Sequence, residues 1–172
     1  MRLRNLPLFY WDTCVFLAWL KDEPNDATVL AGMEETVKLV DNYRAVLMTS
    51  VVTRTEILES TLDATMLSNF HRIFSRRNVY MAVLDHKIAD ISHEIRNYYR
   101  EKEGKNLSST DCHHLATAIH YEAMEMNTMD GCGKKKKHCL LPLNGIVANK
   151  YPMKICLPFH IQPSLIQITK TV

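Results

Sequence analysis

Leu8–Leu20 reads LFYWDTCVFLAWL, an apolar run, one aspartate, then a second apolar run. An ionised carboxylate costs several kcal/mol to bury without a partner. Asp12 therefore belongs where a strand stops and water or a metal begins. The residues before it are expected to form a buried strand over 6–10, and Val15–Leu20 the helix that follows.

The same alternation continues down the chain. Leu30, Met33, Val37 and Val40 fall at helical spacing, and 45–48 is a short apolar run. Thr53-Arg54-Thr55-Glu56 has the capping-box pattern and is expected to open a helix. Another helix is expected over 63–75, a third strand over 79–84, and a long amphipathic helix through Ile88, Ile91, Ile95 and Tyr98. Ser108-Ser109-Thr110-Asp111 is a second capping box, opening a helix with Leu115, Ala116 and Ile119. A fourth strand is expected over 124–129, ending at Asp130, and one more over 153–157. Short apolar strands alternating with helices predict a parallel sheet covered on both faces, a three-layer α/β/α arrangement. At 172 residues, with no internal repeat and no linker, the chain is expected to form a single domain over 1–172.

In such a sheet, a helix that follows a strand starts at the carboxyl edge, where ligands bind. Asp12 and Asp130 are expected at that edge, and Glu56 and Asp111 in first helical turns beside it. Four such acids repel one another unless a hard cation joins them, and Mg²⁺ or Mn²⁺ with oxygen ligands suits them. A site of that kind can promote in-line attack of water on a phosphodiester. Each acid also has a plain structural use. Glu56 and Asp111 can cap helices, Asp12 can be an N-cap, and Asp130-Gly131 is an ordinary turn pair. Glu59, one turn beyond Glu56, is an alternative ligand.

Thr13 and Thr128 sit beside the strand-end aspartates, as supports for the site or as local backbone partners. His114 reads as a satisfied helix histidine, and Cys14 and Cys112 as small packing residues. Lys134, Lys135, Lys136 and Lys137 form either a solvated loop or an RNA contact.

Net charge is only +2, so charge alone does not point to nucleic acid. Five irregularly spaced cysteines suggest reduced thiols and a cytoplasmic protein. Cys132, His138 and Cys139 lack a second pair at metal-ligand spacing, so no zinc site is expected. Arg2 and Arg4 precede an apolar run, but Asp12 interrupts it and no small-residue cleavage site follows, so a signal peptide is not expected. No apolar stretch is long enough to span a membrane.

These pieces resemble the PIN-domain family of metal-dependent ribonucleases, and within it the VapC-like toxins of bacterial toxin–antitoxin pairs. The matching segments are Tyr10-Trp11-Asp12-Thr13, Thr55-Glu56-Ile57-Leu58, Asp111-Cys112-His113-His114-Leu115-Ala116-Thr117-Ala118 and Thr128-Met129-Asp130. The third is the most specific, looking like the family's Asp-x-x-His-Leu-Ala-x-Ala helix start. The resemblance implies a five-stranded parallel sheet in order 3-2-1-4-5, RNA cleavage with Mg²⁺ or Mn²⁺, an antitoxin partner, and often a homodimer. It also implies that Asp12, Glu56, Asp111 and Asp130 are the metal-binding catalytic acids. The chain departs from the family after Asp130, where Gly-Cys-Gly and the lysine run replace a short turn. A catalytically silent module that binds RNA or a protein is the competing function. A haloacid-dehalogenase-type enzyme would need an aspartate where Cys14 stands, and glycine-rich nucleotide motifs are absent.

Overall fold

Side chains along the first strand alternate between two cores. β1, Leu8–Trp11, sends Tyr10 into one and Phe9 and Trp11 into the other. This follows from the two-residue period of a strand, and both faces are apolar because both are covered. The computed structural model describes residues 6–22, 26–59, 62–131 and 138–158. The chain runs β1, α1 (Thr13–Lys21), α2 (Ala27–Asp41), β2 (Val46–Ser50), α3 (Val51–Glu59), α4 (Ala64–Ile73) and β3 (Val79–Ala82). It continues α5 (His86–Lys102), α6 (Ser109–His120), β4 (Glu125–Asn127), β5 (Gly145–Val147), β6 (Tyr151–Met153) and β7 (Ile155–Cys156).

Five strands form one parallel sheet in the order β3-β2-β1-β4-β7. The expected order 3-2-1-4-5 is thus realised, with β7 as the fifth strand of the sheet. One face packs on residues of α1, α2 and α4, including Phe16, Met33 and Phe70. Trp11 and Phe16 meet edge to face at 5.3 Å, and Phe16 and Phe70 at 6.0 Å. Such side chains each contribute roughly 1.5–3 kcal/mol on burial, and aromatic geometry adds to it. The other face packs on α5 and α6 through Ile88, Ile95, Tyr99 and Leu115.

Three features differ from expectation. β4 stops at Asn127 rather than running to 129, so Asp130 lies three residues beyond the strand and does not end it. The helix after β2 opens at Val51, not Thr53, because the strand passes directly into it at Ser50. The Ser50 hydroxyl accepts from Val52 N at 3.3 Å. Thr53 is therefore inside the helix and fully buried, and Glu56 lies in its second turn. In the tail, β5 and β6 form an antiparallel hairpin ahead of the last sheet strand. Three residues, 148–150, link the strands, with Val147 paired to Tyr151. Ala148 and Asn149 have positive φ, 51° and 52°, and Lys150 N donates to Val147 O at 3.1 Å. The hairpin packs Val147 and Met153 into the α5–α6 core.

Candidate functional site

Asp12 follows the last residue of β1 and is the N-cap of α1, which explains its place at the carboxyl edge. Its backbone N–H donates to Asn127 O at 3.0 Å, tying it to β4. One carboxylate oxygen accepts from Thr13 N at 2.7 Å and the other from the Thr128 hydroxyl at 2.8 Å. Thr128 also accepts from Asp130 N at 3.0 Å, so one buried hydroxyl links the two aspartates. The Thr128 hydroxyl thus serves both the carboxylate and the local backbone.

Asp111 lies in the first turn of α6, where its N–H donates to the Ser108 hydroxyl at 3.0 Å. The second capping box is formed as expected on that side. Asp130 sits three residues past β4, and one of its carboxylate oxygens accepts from Leu140 N at 3.2 Å. Asp12, Glu56, Asp111 and Asp130 line one cleft of about 460 Å³, with Thr13, Cys14, Leu17 and Met129. Among the described residues, no lysine or arginine lines it.

His114 is more than a satisfied helix histidine. It is 1% exposed, and its Nε2 lies 3.0 Å from Glu56 Oε2, 3.3 Å from the Thr13 hydroxyl and 3.6 Å from Asp12 Oδ1. Its Nδ1 lies 2.7 Å from the Tyr10 hydroxyl. Among the described residues, Asp12, Glu56 and His114 form the group whose candidate ligand atoms all fall within 4.8 Å of one another. Asp111 and Asp130 line the cleft outside that tighter group. The spacing of Asp111 and His114, one turn apart on one helix, was the available signal.

Charge and burial compete in this group. Burial pushes the His114 imidazole down, but the hydrogen bond to Glu56 and the charges of Asp12, Glu56 and Asp111 outweigh it, and its pKa is raised. Burial works to raise the Glu56 carboxyl, but His114 and Thr13 hold it below its ordinary value. The Thr13 hydroxyl donates to Glu56 and also lies 3.2 Å from Thr53. Burial and the charge of Asp12 push the Cys14 thiol far up, and Cys112 is raised to about 12 by burial. Neither thiol is suited to act as a nucleophile. Cys14 instead packs and accepts from Met129 N at 3.1 Å.

The lysines 134–137 and the Glu59 side chain lie outside the described residues. Cys14, Cys112 and Cys156 are free, whereas Cys139 is disulfide-bonded, against the expectation of reduced thiols throughout. No helix among the described residues is long and apolar enough to cross a membrane.

The PIN domain pattern matches residues 9–131. The fold is similar to that of VapBC2 from Rickettsia felis, solved bound to a DNA fragment from its promoter. That match has a TM-score of 0.56 and 15% identity, covering 70% of this chain and 86% of that one. It is also similar to DNA-bound VapBC from Salmonella typhimurium, with a TM-score of 0.54 and 19% identity over 71% of this chain and 87% of that one. VapC20 of Mycobacterium tuberculosis, described as a Sarcin-Ricin loop cleaving toxin, matches with a TM-score of 0.51 and 16% identity, covering 72% and 90%. None of the curated proteins compared with the chain matches it significantly.

Proposed function

The chain belongs to the PIN-domain family, and on that premise we propose that it is a divalent-metal-dependent endoribonuclease, acting as the toxin of a toxin–antitoxin pair. The observation that carries this reading is the cleft lined by four carboxylates, with no lysine or arginine among the described residues that line it. That donor set fits Mg²⁺ or Mn²⁺, which take a few carboxylates and complete their shells with water and phosphate. Asp12 and Glu56 would hold the ion from the sheet side, and Asp111 and Asp130 from the rim. A bound ion there supplies the charge that promotes in-line attack of water on an RNA phosphodiester.

The chain's own groups prepare the site. Thr128 and the α1 backbone fix the Asp12 carboxylate, while Thr13 and His114 fix Glu56. We further propose single-stranded RNA as substrate, an antitoxin and a second copy of the chain as partners, residues 1–172 as one domain, and the cytoplasm as the site of action. The kinship in fold with toxins from VapBC pairs supports the antitoxin. Lys134–Lys137 are proposed to contact RNA phosphates.

One observation favours a second reading, a catalytically silent module. His114 already lies against Glu56 and Asp12 and can supply positive charge to them without a metal. Thermal unfolding with and without Mn²⁺ separates the two. Binding to the native state alone raises the midpoint, so the wild type should shift and the Asp12→Asn protein should shift much less. A wild type that neither shifts nor cleaves any RNA on a broad panel would establish the silent module.

A further inference from the structure

Beneath the carboxylates lies a layer of buried polar side chains. Tyr10, Thr49 and Thr53 are 0% exposed, and His114 is 1% exposed. Burying this many polar groups is unfavourable unless each is satisfied, and a satisfied network fixes geometry. Here the network runs upward to one acid. The hydroxyls of Thr49 and Thr53 are 2.5 Å apart, Thr13 lies on Thr53, and both Thr13 and His114 end on the same oxygen of Glu56.

We propose that His114 is a positioning residue that holds the Glu56 carboxylate for the metal, and that Tyr10 holds His114. An ionised carboxylate only accepts hydrogen bonds. The Nε2 that lies 3.0 Å from Glu56 Oε2 therefore carries a hydrogen. With Nε2 donating to Glu56 and Nδ1 against Tyr10, both ring nitrogens are engaged by protein groups, which suits the ring to orienting Glu56. On the opposite side of the ring, Nδ1 meets the Tyr10 hydroxyl at 2.7 Å. Tyr10 belongs to β1 and does not line the cleft, so it reaches the acids through the ring. Glu56 stands in the second turn of α3, and Thr13 and His114 converge on its Oε2. Partners that orient a metal-binding side chain commonly matter to metal affinity by 10- to 100-fold.

The proposal rests on the metal-site reading above, and the test keeps the two apart. Mn²⁺ affinity is measured by titration on the wild type, His114→Leu, His114→Gln and Tyr10→Phe, with a metal-free melting curve for each. His114→Leu should bind Mn²⁺ about tenfold more weakly or worse. His114→Gln retains an amide donor and should recover part of that loss. Tyr10→Phe should weaken binding several-fold although it changes nothing in the cleft wall. Wild-type affinity in a folded His114→Leu protein would overturn the proposal. So would tighter binding, which would make the ring a resident counter-charge. If His114→Leu does not fold, unchanged affinity in Tyr10→Phe overturns it. A wild type without Mn²⁺ binding would remove the metal-site reading itself, and the positioning role with it.

Discussion

At the scale of residues, the site is a set of acids whose surroundings differ by design of the fold. Asp12 is held by a backbone N–H and a buried threonine, and Glu56 by a threonine and a buried imidazole. The imidazole has a consequence for metal-free stability. His114 has a folded-state pKa above its ordinary 6.5. Its contribution is fully present below about pH 6.5 and is lost as pH rises through the raised value. Glu56 is shifted the other way, below its ordinary 4.5. Its contribution is present above that pH and is lost as pH falls through the lowered value. From these two groups, metal-free stability should be greatest between about pH 4.5 and pH 6.5. Urea unfolding without metal should show a decline on the alkaline side that flattens in His114→Gln. An alkaline decline equally steep in His114→Gln would remove His114 as its source.

At the scale of elements, much was legible because local chemistry and tertiary position agree. The apolar run into Asp12 became β1 and an N-cap, and Ser108 caps α6 as its motif suggests. Thr53 misled because a capping box is a local pattern, whereas β2 runs without a break into α3 and places Thr53 in the interior. The role of His114 was not legible. Its partners Tyr10 and Glu56 are 104 and 58 residues away in sequence, so only the folded sheet edge reveals them. The tail hairpin was missed because its strands have three residues each, too short for a period, and the three-residue link 148–150 carries no glycine. Backbone pairing fastens the tail to the sheet, with Met126 N donating to Lys154 O at 2.8 Å and Thr128 N to Cys156 O at 3.0 Å, and a side chain within the tail braces it. Asn144 Oδ1 accepts from Ile155 N at 2.8 Å, at the start of β7. Asn144→Ala leaves that N–H without its partner and should cost about 1–2 kcal/mol in urea unfolding. Unchanged stability would mean that β7 is held by its pairing with β4 alone.

At the scale of the whole molecule, the parallel sheet explains how distant acids meet. β1 and β4 are neighbours, so Asp12 and the segment carrying Asp130 come to one edge. α6 packs against β2 and α3 at the same end, bringing Asp111 to the cleft that Glu56 lines. An acidic centre also needs cations elsewhere to attract a polyanion. If the lysine run serves this purpose, changing Lys134–Lys137 to serine should weaken RNA binding and flatten its salt dependence, since each phosphate contact releases counterions. Unchanged affinity and slope would leave the run as a solvated loop.

The most direct test of the metal-site account is RNA cleavage by Asp111→Asn, with added Mn²⁺ or Mg²⁺ and a melting curve on the same preparation. The amide keeps the shape of the side chain and can still accept a hydrogen bond at the helix start. Its stability cost should therefore be small, about 1 kcal/mol or less. Loss of the charge should cut cleavage by orders of magnitude, because each ~1.4 kcal/mol of lost transition-state stabilisation is tenfold in rate. A folded protein with cleavage abolished is the expected result. A folded Asp111→Asn protein that cleaves RNA at the wild-type rate would contradict the account.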